Sequence, residues 1–299
     1  MTKSLAAEVR SEWLDLLWRC WRTVGVRASH GPIIETMLDL ESIIIATAGL
    51  TGDGDDPRVR AHALYWCINN HRLVSTIRLK RLAVQLPAEL TLPFRRFAAT
   101  VNAMTDSRWP DDGVVPDLYA VREFPELPIG SSGGALTKLR LRLLIGANAR
   151  SEVMATCLAN PDSHFGLLEL ETLTTFSRRH LAEPVADLAR GGWLDHSMLG
   201  NRNRYRVSAH SRAAFGSTEW LDWPSRFDLL AVLADASSHL DSGSVLGCLA
   251  ALRKVADQFW SHTAVEAPAP LHPSEELQAR APELREWISN TTRQLISVA

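Results

Sequence analysis

No stretch of this chain approaches the roughly 18 uninterrupted apolar residues that a membrane-spanning helix needs. Its first apolar segment is broken by Glu8, Arg10, Glu12 and Asp15, so we expect neither a secretory leader nor a bilayer anchor. Cysteine is sparse. Cys20, Cys67, Cys157 and Cys248 stand far apart without a C-x-x-C pair, which speaks against a zinc site or a disulfide framework and fits a reducing cytoplasm. Catalytic frames are missing too. The Gly133-Gly134 pair belongs to neither G-x-G-x-x-G nor G-x-x-x-x-G-K-[ST], and no G-x-S-x-G elbow or H-E-x-x-H pair occurs. An EF-hand loop opening at Asp53 would need glutamate twelve positions along, where Leu64 stands. Asp53 and Asp55 are the one suggestive carboxylate pair for nucleotidyl transfer, and no Gly-Ser turn precedes them. The expectation is a protein that is not an enzyme and carries no cofactor and no metal. His180, His196 and His210 are read as ordinary surface or core histidines.

What is present is enough apolar material, 46% of 299 residues, for real cores in about two domains. The net charge of −2 hides an uneven distribution. Residues 1–134 hold 15 basic and 16 acidic side chains, residues 135–212 hold 11 and 7, and residues 213–299 hold 6 and 11. The middle block alone is basic. Its excess is concentrated in Arg178, Arg179, Arg190, Arg202, Arg204, Arg206 and Arg212, and the planar guanidinium fork suits phosphate and guanine. Such a footprint favours nucleic acid over an acidic small ligand.

Periodicity predicts helices at both ends. Leu5, Val9, Trp13, Leu16, Leu17, Cys20 and Val24 form one side of a helix, with Trp13, Trp18 and Trp21 read as core or interface residues. Gly31-Pro32 precedes a second helix whose Ile43-Ile44-Ile45 run implies burial. Asp56-Pro57 reads as an N-cap and first residue of a helix to about Asn70. A basic helix with Arg78, Lys80 and Arg81 and another with Phe94, Phe97 and Val101 follow. Those three cations, with Arg95 and Arg96, are read chiefly as a solvated face, with added DNA-backbone contact as the sharper alternative.

Pro110, Pro116, Pro125, Pro128 and Ser131-Ser132-Gly133-Gly134 break every period, which predicts a flexible connection. The segments are then residues 1–105, a helical N-terminal domain; 106–134, a linker; 135–212, a central domain; and 213–299, a C-terminal helical region. Leu136 to Leu144 reads as an apolar, basic helix, and Val153, Met154, Cys157 and Leu158 as the inward side of the next one. Residues 227–235 and 244–262 read as helices. Pro268, Pro270 and Pro273 mark a break before a terminal stripe of Leu284, Trp287, Ile288, Thr291 and Leu295.

The densest pattern runs from Leu167 to Ser208. Ser177 is placed to cap a helix and Gly191-Gly192 to end it. Leu181, Val185 and Leu188 fall on one face, and Arg179, Glu183, Ala186 and Arg190 on the other. Gly200-Asn201 then offers a turn, and Tyr205 and Val207 alternate with Arg204 and Arg206 on a return strand. The frame Phe176-Ser177-x(3)-Leu181-x(3)-Val185-x(2)-Leu188-x(3)-Gly192-Trp193-Leu194 resembles the recognition-helix signature of winged helix-turn-helix regulators of the arsenic-repressor and multiple-antibiotic-resistance type. The likeness covers Ala149 to Ser211.

The resemblance implies a mainly α fold: a winged helix-turn-helix domain with a small β-hairpin wing, flanked by a helical N-terminal bundle and C-terminal helices. It implies a sequence-specific regulator of double-stranded DNA, a repressor and a homodimer matched to two-fold half-sites. Ser177, Arg178, Arg179, His180, Glu183 and Arg190 would lie along the major groove, and Asn201, Arg202, Asn203, Arg204 and Arg206 along phosphate or the minor groove. The alternative is a winged-helix antitoxin or interaction module that binds a protein, such as a nucleotidyltransferase-type toxin, and autoregulates its operon. Two positions depart from the signature. Thr175 stands where a turn glycine is usual, and Pro184, inside the recognition helix, predicts a kink or a loosened first turn.

Overall fold

Leu5–Thr23 forms helix α1, and the apolar stripe from Leu5 to Cys20 is buried together with Trp13 and Trp21, while Trp18 is half-buried. The computed structural model describes all residues except 1–3, 28–31, 53–55, 87, 114–116, 126–128, 130–132, 217, 255–276 and 298–299. The readings of Gly31, Asp53, Asp55, Pro116, Pro128, Ser131, Ser132, Phe259, Pro268, Pro270 and Pro273 therefore lie outside the described residues. The described fold is mainly helical, with one two-stranded antiparallel sheet. None of its helices is long and apolar enough to cross a membrane. The chain divides into two units: Arg19–Leu221, and Met1–Trp18 with Asp222–Ala299.

In the larger unit, α2 (Leu40–Leu50) keeps its helical form despite three consecutive isoleucines, whose branched Cβ lowers helix propensity. Burial decides: every residue but Gly49 is buried, the signature of a helix packed all round. Around it lie α3 (Pro57–Asn70), α4 (Thr76–Val84) and α5 (Ala88–Met104). Asp56 accepts from the Arg58 amide at 3.0 Å with Pro57 at the first helical position. The described part of segment 106–134 is pinned to this bundle. Asn102 donates to the Trp109 carbonyl at 2.9 Å. The Tyr119 ring lies between the guanidinium groups of Arg60 and Arg96, each 4.3 Å from its centroid, and Phe124 stacks on His62 at 3.6 Å. Aromatic side chains hold down a stretch whose prolines alone suggest freedom.

Next come α6 (Thr137–Ile145) and α7 (Ala149–Ala159), packed against each other. Arg78, expected on a solvated face, is instead buried, as are Lys138 and Arg142. They meet three buried carboxylates, Asp39, Glu41 and Glu152. Arg78 Nη2 is 2.6 Å from Asp39 Oδ2, and Lys138 Nζ lies 3.0 Å from Asp39 and 2.8 Å from Glu152. Arg142 joins Glu41 at 2.8 Å and Glu152 at 2.6 Å, and also donates to the Leu73 carbonyl. The cluster balances three charges of each sign, and long-range pairing invisible to local periodicity drew these cations inward. Lys80 and Arg81 remain exposed; Arg95 pairs with Asp112, and Arg96 donates to the Asp117 carbonyl.

Burial alone would raise the Asp39 carboxyl, but Arg78 and Lys138 outweigh it and hold it far below the usual range. Burial opposes ionisation of Glu152 likewise, and Lys138 and Arg142 bring it down to about 2.

The smaller unit contains α11 (Trp223–Asp241), α12 (Val245–Arg253) and α13 (Ala281–Ser297), the first packed on the other two. The Asp241 carboxylate accepts from the first amides of α1, Leu5 and Ala6, at 3.3 and 2.9 Å, and binds Arg285 at 2.8 Å. Leu284, Ile288, Thr291 and Leu295 are buried, and Trp287 is half-buried.

Two measurements check the ion cluster. Arg142→Met should lower unfolding stability in urea by about 3–5 kcal/mol, because two carboxylates stay buried with one cation fewer. Since the Asp39 and Glu152 carboxyls sit below their unfolded values, their stabilisation is complete above about pH 4.5 and is lost as pH falls towards 2. Urea midpoints flat across that window would contradict the assignment.

Candidate functional site

The site is assembled from the next part of the larger unit. Asn148 caps α7 through a reciprocal box with Ser151, and Val153, Met154, Cys157 and Leu158 turn inward from it. Helix α8 (Leu167–Thr174) starts at Gly166, whose amide donates to Glu169 at 2.9 Å. Thr175 then takes φ 64°, ψ 9°, doing in left-handed backbone what glycine does more cheaply. Its hydroxyl is buried without a hydrogen-bond partner among the described residues. Helix α9 spans Arg178–Arg190.

One local expectation is corrected here. The Ser177 hydroxyl does not cap a backbone amide; it shares a 2.7 Å hydrogen bond with His180 Nδ1. The Arg178 amide donates instead to Glu171 at 3.1 Å, across the turn from α8. Pro184 lies inside a helix that is α-helical from Arg178 to Arg190. Its missing amide would have bonded the carbonyl of His180, an exposed residue where water can replace the bond. Packing completes the account. Leu181, Val185 and Leu188 are buried in one cluster with Val153, Met154, Leu158 and Leu170.

Gly192, at φ 73°, turns the chain out of α9. Strands β1 (Leu194–Leu199) and β2 (Arg202–Val207) pair in register from Leu194 opposite Val207 to Leu199 opposite Arg202. Of the two turn residues only Gly200 has positive φ, the pattern of a type II′ hairpin. Phe165 forms a further antiparallel bridge with Tyr205, with backbone bonds of 2.8 and 2.9 Å. Tyr205 and Val207 face the core. Helix α10 (Ala209–Phe215) follows, capped by Ser208.

The positions singled out from the sequence fall on one helix and one ribbon, but their charges are not equally free. Arg178 pairs with Glu171 at 3.0 Å, Arg204 with Glu169, Arg206 with Asp195 at 3.2 Å, and Arg190 with Asp187. Arg212 reaches Asp162 at 3.5 Å. Arg204 and Arg206 are half-buried, each with an Nε shielded from water and unbonded among the described residues. Among the described residues Arg179 and Arg202 are exposed and have no acidic partner. Glu183 and Asn201 are exposed, and the Asn203 side-chain oxygen meets the His196 ring at 2.9 Å. Hydrogen bonding to Arg204 lowers the Glu169 carboxyl, and bonding to Arg150 lowers that of Asp187.

The five carboxylates facing these arginines escaped the sequence reading. Asp187 and Arg190 alone stand at a helical i, i+3 spacing; the other partners meet only after the turn and the ribbon have formed. Exposed apolar residues also border the site: Leu168 and Leu173 on α8, and Met198 and Leu199 at the ribbon tip. Comparison with family models, with curated proteins and with solved structures finds no match to this chain.

Thr175→Gly should raise the unfolding free energy by up to about 1 kcal/mol, because left-handed backbone costs a non-glycine residue 1–2 kcal/mol and glycine's extra chain entropy offsets part of that. A lower denaturation midpoint in the variant would show that the threonine methyl contributes packing that outweighs the strain.

Proposed function

We propose that the chain is a sequence-specific double-stranded DNA-binding regulator, acting as a repressor and a homodimer, with α7 to α9 and the β1–β2 ribbon as its winged helix-turn-helix. The observation that carries this reading is the division of α9. Leu181, Val185 and Leu188 bury one face, and Arg178, Arg179, His180 and Glu183 stand on the exposed remainder beside an arginine-bearing ribbon. A helix so presented fits the major groove, and its unpaired Arg179 sits in the first turn, the part nearest base edges in such docking. Arg202, unpaired near the ribbon tip, fits phosphate. Glu183 suits a cytosine amino group. The reading assigns no turnover and no cofactor to the site. DNA contact by Lys80 and Arg81 is not part of it.

A second reading keeps the fold and changes the partner to a protein, such as a nucleotidyltransferase-type toxin, with the module autoregulating its operon. The exposed Leu168, Leu173, Met198 and Leu199 favour it, as apolar surface is what a protein interface buries. Co-purification of a stoichiometric partner that blocks DNA binding would support this second reading.

Promoter-fragment binding at two salt concentrations tests the first. Arg179→Ala should cost about 1–3 kcal/mol at the preferred site and little on mixed sequence. Arg202→Ala should weaken all duplexes alike and reduce the salt slope by about one. No measurable binding to any duplex at low ionic strength would refute the proposal.

A further inference from the structure

Four arginines of α9 and the ribbon, Arg178, Arg190, Arg204 and Arg206, face their own chain's carboxylates before any ligand arrives. Glu171 is placed twice over: one oxygen lies 3.0 Å from Arg178 Nε and the other accepts the Arg178 backbone amide at 3.1 Å. That amide opens α9, and free amides at a helix N-terminus are where phosphate binds. Glu169 repeats the arrangement one helix earlier, accepting the Gly166 amide at 2.9 Å while its other oxygen meets Arg204. Asp195 takes Arg206 at 3.2 Å from the opposite strand. Residues 162–212 hold seven arginines and six carboxylates, so the basic face is locally almost neutral.

We infer that Glu169, Glu171 and Asp195 act as built-in competitors for phosphate, so that nucleic acid must displace a carboxylate from Arg204, Arg178 and Arg206 and from the first amide of α9. The inference rests on the DNA-binding reading and deepens it. Exposed ion pairs are weak, so a well-placed phosphate can exchange with them, and the released carboxylate stays nearby and recruits a cation. Binding therefore releases fewer net counterions than the number of arginines engaged. Random duplex, which offers phosphates and no favourable base contact, is bound too weakly to compete with a site that Arg179 also reads.

The double variant Glu171→Gln, Asp195→Asn tests this on the full chain, because each amide keeps the oxygen that accepts a hydrogen bond and removes the charge. With a labelled mixed-sequence duplex titrated between about 50 and 200 mM salt, the double variant should bind about tenfold more tightly than wild type. Its plot of log affinity against log salt should be steeper by up to about two units. Glu286→Gln, which removes one charge at an exposed position of α13, should leave both quantities unchanged. If the double variant melts early, Glu169→Gln supplies an independent pair with half the expected slope change. Unaltered affinity and slope in a folded variant, or an equal gain from Glu286→Gln, overturns the inference while wild-type binding keeps the regulator reading intact. Binding by the variant alone supports it; no binding by either protein overturns both.

Discussion

Six charges buried together set the terms for the larger unit. An unpaired ion inside a protein costs several kcal/mol, so Asp39, Glu41, Arg78, Lys138, Arg142 and Glu152 are tolerable only as a complete, balanced set. Completeness demands that four separate pieces of chain arrive in one arrangement: the start of α2, the start of α4, the length of α6 and the first turn of α7. Replacing the set with apolar residues of like volume could give equal stability, but it would not impose that register, since apolar side chains accept many neighbours and a bidentate guanidinium accepts few.

The constraint reaches the candidate site through α7. Glu152 on that helix belongs to the ion cluster, while its neighbours Val153 and Met154, with Leu158 a turn further on, form the floor on which Leu181, Val185 and Leu188 of α9 rest. One helix is thus bonded by charge on one side and by close packing on the other. The exposed face of α9 is positioned by whatever positions α7. This explains how α9 carries Pro184 and how the turn before it carries a strained Thr175: neither needs to be favourable locally when the apolar cluster fixes both helices.

Local signals in the sequence were legible where a residue's neighbours in the chain are also its neighbours in space. Asp56-Pro57 marked the start of α3, the i, i+4, i+7 stripe marked the buried face of α9, and Gly200-Asn201 marked the hairpin. Signals failed where the partner lies far along the chain. Arg78 reads as surface because nothing within a helical turn betrays Asp39, 39 positions away. Tyr119 and Phe124 sit among prolines that suggest a loose connection, and their rings settle on α3 and α5. Ser177 has the right residue type for a cap, but Glu171, a longer acceptor arriving from α8, bonds the Arg178 amide.

The same distinction limits what a charge count can say about the candidate site. The basic excess of residues 135–212 is a sum over side chains with three different fates. Lys138 and Arg142 neutralise buried carboxylates that include Asp39 and Glu41 from outside the block, and so contribute little field at the surface. Arg178, Arg190, Arg204 and Arg206 project towards water already paired. Arg179 and Arg202 alone among the seven present an uncompensated charge. With a Debye length of about 8 Å at physiological salt, a distant polyanion meets a weak attraction, and one within reach meets donors already held by carboxylates. On the DNA-binding reading proposed above, such a surface selects for close fit over long-range capture, as a protein choosing one duplex sequence among many requires.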